Sequence, residues 1–363
     1  MLFHSVFHLR PGSLSRCLRR AAVPLLMTAA CCGCQRAASD AQPATGQVYA
    51  MDTYMELTAY GETASAAVEE TSRMIYQLDA LLDRTAAGSI TYAINHAGGT
   101  PVPIDRTVHD LLAAAIEYGQ FTQGRFDISI APIADLWGFT QDAFHVPSDA
   151  EIEAVMPLVG LEHLHLSEDQ VVLDAGSEID FGGIAKGLAA EQAYAIFLDS
   201  GVEHALANLG GDLLVLGEKP GGEPWRVGIQ SPFAADVPGQ YAGILTLSDA
   251  YVLTSGSYER YFEENGTIYH HIIDPLTGSP SSSGLASVTV VSDLQPGAGT
   301  LCDALSTALF TLSPEDAISF WQAHASLFQM ILISDAGELW ITDGLWDSFQ
   351  PPESEDFTVH LIH

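Results

Sequence analysis

Hydrophobic positions change their period several times along the chain. Val48 to Tyr60 alternates between apolar and polar residues and predicts a strand, whereas Ala64 to Leu82 carries Val68, Ile75, Leu78 and Leu82 at helical spacing. Ser89 to Asn95 is expected as a turn leading to Gly98-Gly99, and Val108 to Phe121 as a second helix. Gly124 to Pro132 is strand-like and runs into Leu136-Trp137-Gly138-Phe139. Asp149 to Leu158 predicts a short helix with acidic residues at its start, and His163 to Leu173 another strand. Ile179 to Gly187 links a strand to a helix over Leu188–Leu198, and Ala205 to Leu216 is a strand interrupted by Asn208-Leu209-Gly210-Gly211-Asp212. Trp225–Ile229, Tyr241–Leu247, Ala250–Thr254 and Ser287–Val291 read as further, mostly antiparallel strands. Helices over Leu301–Leu312 and Pro314–Ala325 and a hairpin of Met330–Ile333 with Leu339–Thr342 complete the pattern. With no repeat and no low-complexity tract, the body reads as one α+β unit with a mixed, mostly antiparallel sheet and flanking helices, a division into two lobes being left open.

The first residues follow a different rule. Arg10, Arg16, Arg19 and Arg20 precede an apolar run from Ala21 to Ala30, then Cys31-Cys32-Gly33-Cys34, which is the layout of an export signal. Ten apolar residues are too few to span a bilayer as a helix. Thr28, Ala29 and Ala30 before Cys31 resemble a bacterial lipobox, so Cys31 is the expected lipidation site, with Cys34 as the alternative. The expected organisation is therefore a signal peptide over 1–34, a small, polar tether over 35–46, a domain over 47–350 and a tail over 351–363. Only Cys302 remains in the body, so no internal disulfide is available; it reads as a small buried residue.

Charge narrows the partners. The 363 residues contain 46 Asp and Glu against 13 Lys and Arg, a net charge of −33. Such a surface repels nucleic acid and anionic lipid headgroups, and a phosphate-bearing ligand needs a metal ion or a local cation to bind. One of the two lysines, Lys186, lies inside Asp180-Phe181-Gly182-Gly183-Ile184-Ala185-Lys186-Gly187. Glycines at a strand-to-helix junction allow close backbone approach, and a new helix offers free N–H groups. Neither a Walker A loop nor a dinucleotide fingerprint is present, so an unliganded tight turn is an equal reading of this segment alone. In Tyr269-His270-His271-Ile272-Ile273-Asp274, an imidazole beside an acid suits proton transfer or a structural hydrogen bond. Asp303 and Thr307, four residues apart, share a helix face and offer hard oxygens to a divalent cation, or they simply solvate that helix.

Taken in order, these segments resemble the FAD:protein FMN transferases of the ApbE family. The resemblance runs from Met51-Asp52-Thr53 through Gly124-Arg125-Phe126-Asp127, Asp180–Gly187 and Asn208–Asp212 to Ser255–Phe262, His270–Gly278 and Asp303–Thr307. Asp52 stands where the family often has glycine, and Phe181 where it often has leucine. The resemblance implies a single ApbE-like, T-fold-related unit that binds FAD as substrate with Mg²⁺. An acceptor protein's threonine or serine hydroxyl attacks the FMN-side phosphorus, and AMP leaves. Carried over by position, Asp303, Thr307 and the Gly183 carbonyl hold Mg²⁺. Met51, Tyr92, Leu136, Trp137, Gly138, Asp180, Lys186 and Ile273 contact FAD, and His271 is the general base. The implied partners are acceptors of the FMN-binding-domain or redox-pump-subunit type, with the membrane touched through a lipid anchor only and the chain held outside the cytoplasm. Acceptors of this family carry a D-x-x-[S/T]-G-A-T type sequence; this chain has none, so the acceptor is expected to be another protein. Two other activities suit the same residues: Mg²⁺-dependent hydrolysis of FAD to FMN and AMP, and flavin binding without catalysis.

Overall fold

The computed structural model describes residues 42–141, 143–234, 237, 239–352, 354 and 356–363. The expected signal peptide, its lipobox with Cys31 and most of the tether lie outside the described residues. Among the described residues the centre of the fold is a nine-stranded sheet whose spatial order follows the chain. Its strands are β1 (Ala44–Ala50), β2 (Thr53–Tyr60), β3 (His204–Asn208), β4 (Leu213–Leu216), β5 (Ala250–Gly256), β6 (Leu285–Asp293), β7 (Gln329–Ser334), β8 (Glu338–Thr342) and β9 (Thr358–Ile362). Neighbours pair antiparallel except for β8 and β9, which run parallel. Thus 351–363, set apart in the sequence as a tail, supplies the last strand.

The single strand expected over Val48–Tyr60 is a hairpin instead. Ala50 pairs with Thr53, and the two residues between them have φ of 50° (Met51) and 58° (Asp52). A two-residue turn that matches strand twist needs left-handed backbone at both positions. No Asn-Gly or Asp-Gly signals it; an aspartate tolerates that region, and the Met51 N–H is held by Asp79 Oδ1 at 2.8 Å.

Both faces of the sheet are covered. On one side lie α1 (Ala64–Leu82), α3 (Ala185–Asp199) and α4 (Ala298–Phe310), which bury Met55, Leu57, Leu253 and Val290 against Ile75, Phe197 and Leu305. Val252, Ile331 and Ile341 point the other way, into a core shared with Val227, Leu245 and Phe349 of a three-stranded sheet built from Trp225–Gln230, Tyr241–Leu247 and Phe349–Gln350. That opposition of Val252 to Leu253 is the two-residue alternation of a strand sandwiched between layers. Residues 61–203 form an excursion between β2 and β3. It contributes α1, α2 (Arg106–Phe121) and α3, and a second core in which Leu82, Leu112, Phe126, Val171 and Phe181 meet.

Three further expectations change within this excursion. Ser89–Asn95 is a helical turn over Ile90–Asn95, because the Ser89 side chain accepts from the Tyr92 N–H at 2.9 Å as an N-cap. Gly124–Pro132 is not a strand. Asp127 caps a 3₁₀ turn over Ile128–Ile130, and Pro132 sits at the start of the helix Ala131–Leu136, where a missing N–H costs nothing. His163–Leu173 breaks into the antiparallel pair Leu164–Leu166 and Gln170–Leu173.

Candidate active site

A cleft of about 1160 Å³ opens where the 61–203 excursion meets the sheet and the segments Tyr258–Arg260 and His271–Ile273 that flank the hairpin Tyr261–Glu264/Thr267–His270. Its centre is set by how closely α3 and α4 approach. A Cβ on Gly187 would lie 2.5 Å from the Gly299 carbonyl oxygen, so only glycine permits this contact. The approach lets Asp303, on α4, accept the Gly187 N–H through Oδ2 at 2.8 Å. In a helix one residue longer that N–H would bond to the Gly183 carbonyl; the helix instead begins at Ala185, two residues after Gly183. Thr307 lies one turn beyond Asp303, with its Oγ1 3.3 Å from Ser255 Oγ, and Ser255 Oγ is 2.8 Å from Ser306 Oγ. A Cβ on Gly183 would sit 3.4 Å from Thr307 Oγ1, so the bare glycine keeps the space between these groups open.

This donor set fits Mg²⁺. A carboxylate, a hydroxyl and a main-chain carbonyl are hard oxygens, and a Mg²⁺ site usually completes its shell with water and phosphate. Among the described residues no cluster of three or more His, Cys, Asp or Glu could hold a metal, so a site here depends on the hydroxyl and the carbonyl.

Lys186, in the first turn of α3, forms an ion pair with Asp212, which is 1% exposed. Asp212 follows the tight turn Asn208–Gly211 between β3 and β4, and its Oδ1 accepts the Thr254 N–H at 2.8 Å. Burial acts to discharge Lys186, but Asp212, then Glu259 and Asp303, outweigh it and keep the ammonium charged. Burial, followed by the nearby Asp212, lifts the Asp303 carboxyl well above the usual carboxylate range. A cation that replaces the lost water is the natural remedy for such a group.

His271 follows the hairpin strand Thr267–His270. Its main-chain N–H and its Nδ1 both bond to the Arg260 carbonyl, at 3.0 and 3.2 Å. Because a carbonyl can only accept, Nδ1 carries the hydrogen and Nε2 keeps the lone pair. The ring is walled by protein on most sides yet reaches solvent through the cleft. Burial, then His270 and Arg260, pushes its pKa down to about 3, so it is a neutral imidazole.

At another wall Arg84 gathers acids from distant segments. Its guanidinium makes two 2.8 Å bonds to Asp135, one of 2.8 Å to Glu178 and one of 2.9 Å to Thr140. Its Nε lies 3.8 Å from Asp180 Oδ2, while Asp180 Oδ1 accepts the Gly182 N–H at 2.7 Å. Sequence reasoning did not single out Arg84 or assign Asp212 a role. The available signal was compositional: in so acidic a chain, a basic residue within the body has acids to gather.

Met51, Asp180, Gly183, Lys186, His271, Ile273, Asp303 and Thr307, from separate stretches of chain, all line the cleft. The other expected contacts are not among its lining residues. Tyr92 stacks on His96 with ring centroids 3.7 Å apart, and Thr85 lines the cleft instead. Leu136, Trp137 and Gly138 support the wall from behind: Trp137 is buried and donates its Nε1–H to the Gly278 carbonyl at 2.9 Å, leaving Phe139 and Thr140 as lining residues. Cys302 is buried with its thiol raised to about 12 by burial, as a small core residue should be.

The sequence profile described as the ApbE family matches residues 51–332. The FAD:protein FMN transferase of Salmonella typhimurium is 31% identical over 283 residues, covering 74% of this chain and 78% of its own. One from Klebsiella pneumoniae is 36% identical over 248 residues, covering 67% and 74%. Among solved structures, the Thermotoga maritima ApbE protein superposes with a TM-score of 0.78 at 28% identity, over 85% of this chain and 99% of that one. The Pseudomonas stutzeri flavinyl transferase ApbE gives 0.71 at 26% identity, over 87% and 96%.

Proposed function

We propose a function from one premise, that the chain belongs to the ApbE family: it is an FAD:protein FMN transferase whose chemistry is centred on His271, Asp303, Thr307 and Lys186. The observation that carries the reading is that these four side chains, distant in sequence, line one cleft with Gly183 and Asp180. FAD is the substrate, and the second substrate is the hydroxyl of a threonine or serine on an acceptor protein.

The hydroxyl oxygen forms a bond to the FMN-side phosphorus, the bond from that phosphorus to the AMP oxygen breaks, and AMP departs. His271 Nε2 takes the hydroxyl proton. Its support is the Nδ1–H bond to the Arg260 carbonyl, which fixes the tautomer and leaves the lone pair on Nε2; proton removal by a positioned imidazole is worth roughly 10²–10⁴-fold in rate. Asp303, Thr307 and the Gly183 carbonyl hold Mg²⁺, which when bound neutralises pyrophosphate charge. Lys186 places a second cation near the phosphates, fixed by Asp212. Asp180, oriented by the Gly182 N–H and the Arg84 cluster, and Met51 and Ile273 contact FAD. The chain acts outside the cytoplasm, tethered by lipid on Cys31, on acceptors such as the FMN-binding domains of redox-pump subunits. The basic, apolar and small-residue run of its first 31 positions supports that placement. Among the described residues no helix is long and apolar enough to cross a membrane.

The test incubates the protein with FAD, Mg²⁺ and such an acceptor domain, then looks for flavin fluorescence on the denatured acceptor. A fluorescent acceptor with stoichiometric AMP is the expected result. FMN and AMP without labelling would reassign the cleft to FAD hydrolysis, and unchanged FAD would reduce it to a binding site.

A further inference from the structure

Past the reacting centre the cleft is walled by a strand edge. Trp225–Gln230 is the outer strand of the three-stranded sheet, and among the described residues no strand pairs with its free side. The phase of its backbone follows from its neighbour. Thr246 donates its N–H to the Ser348 carbonyl at 2.8 Å and so faces away from Trp225–Gln230. Main-chain groups alternate sides along a strand, so Leu245 and Leu247 face inward, toward their register partners Val227 and Trp225. Arg226 and Gly228 therefore turn both N–H and C=O outward. Both residues line the cleft that contains His271.

We propose that this edge docks the acceptor: an extended, acidic segment of the protein substrate adds as a further strand along Arg226–Gly228 and carries its hydroxyl toward His271. The inference rests on the transferase reading, because only a polypeptide acceptor has a backbone to pair. Inside a cleft that backbone loses its water, and each amide left unsatisfied costs about 1–3 kcal/mol. A bare edge supplies matching donors and acceptors without regard to side chains. Proteins usually guard such edges against unwanted pairing, and this one lies within the cleft. Charge selects the occupant. The chain carries a net −33, yet Arg226, on this edge strand, is exposed. Its guanidinium reaches across the sheet to the neutral Gln350 Oε1 of the far strand at 3.1 Å, a single neutral bond from which the long side chain can swing to a carboxylate at the edge. Arg226 therefore offers a carboxylate-bearing segment an attraction that the surrounding acidic surface denies it.

The probe is the FMN-binding domain of a redox-pump subunit, used with FAD, Mg²⁺ and the full chain. Arg226→Pro deletes the outward N–H and the cation but no bond of the ladder, a place where an edge strand accepts proline. Arg226→Gln removes the charge alone. The KM for the acceptor should rise about tenfold in Arg226→Pro. In Arg226→Gln it should rise less, by an amount that vanishes at high salt. Affinity for FAD, titrated separately, should hold in both. In the unaltered protein, hydrogen exchange at the Arg226 and Gly228 amides should slow when the acceptor is added, a readout that stands if the proline variant misfolds. Labelling that proceeds with an unchanged acceptor KM, or with both amides unprotected, would overturn the docking edge and leave the transferase intact. An unaltered protein that binds FAD but never labels the acceptor would overturn the transferase reading instead.

Discussion

The low pKa of His271 makes a quantitative claim about acid tolerance. An imidazole at its ordinary value of 6.5 is only about 3% neutral at pH 5, and a reaction that needs it as base would slow about thirtyfold between pH 8 and pH 5. His271 is depressed to about 3, first by burial and then by His270 and Arg260, so at pH 5 about 99% of it remains neutral. A depressed base works above its folded pKa and fails only as pH falls through that value. The expected kcat/KM for FAD, which reports the free enzyme, is therefore flat with respect to His271 from pH 8 to pH 5. Two carboxyls titrate in the same window and must be controlled. Asp303, raised by burial and by Asp212, takes up a proton as pH falls and so competes with the metal; saturating Mg²⁺ suppresses this. Glu259, which lines the cleft with its side chain still open to solvent and is lifted to about 7 by desolvation there, is removed by using Glu259→Gln as the background. Initial rates of acceptor fluorescence at limiting FAD, across pH 5 to 8, provide the measurement. A thirtyfold fall centred near pH 6.5 at saturating Mg²⁺ in that background would refute the argument, since the imidazole would then be titrating as if in water.

Three substitutions probe the rest of the site. His271→Ala should cut transfer by roughly 10²–10⁴-fold while FAD binding, followed by quenching of flavin fluorescence, survives; unimpaired labelling would remove His271 from the reaction. Gly183→Ala places a methyl 3.4 Å from Thr307 Oγ1 and 3.2 Å from the Phe126 ring, so the Mg²⁺ concentration for half-maximal rate should rise more than about tenfold. Equal metal titrations for the two proteins would show that the Gly183 carbonyl and Thr307 do not share an ion. Lys186→Met strands the buried Asp212 and should cost about 3–5 kcal/mol in urea unfolding, much of it regained in Lys186→Met/Asp212→Asn. A single variant as stable as the parent would mean that the pair contributes nothing.

How far the sequence revealed the molecule depends on where each signal is local. The helix Ala64–Leu82 and the strand Tyr241–Leu247 have the boundaries expected from the sequence: the helix presents one apolar stripe, and the strand is a short apolar run with Ala242, Gly243 and Leu245 buried. Gly124–Pro132 misleads: its alternating Phe126, Ile128 and Ile130 fit a strand, but the Asp127 cap and Pro132 bend them into helical turns. At the site, the resemblance carried His271, Lys186, Asp303 and Thr307 to one cleft. It also pointed to Tyr92, which sits in the helical turn that Ser89 caps and stacks on His96, outside the residues that line the cleft. Arg84 and Asp212 were illegible for a different reason. Their roles reside in partners 51 and more residues away for Arg84, and on another element, α3, for Asp212; such pairings have no periodic trace.

The order of strands in the sheet also bears on when this enzyme becomes competent. β2 and β3 touch, yet residues 61–203 lie between them, and His271 belongs to a later detour between β5 and β6. Zippering of neighbours so far apart in the chain is slow compared with the formation of local hairpins. The reaction centre is thus the seam between two loops, and it comes into being only when both have closed. A dinucleotide spanning that seam acts as a clasp: above its Kd it should raise the melting temperature with the logarithm of its concentration, and a newly made chain should stay inert until the clasp has somewhere to fasten.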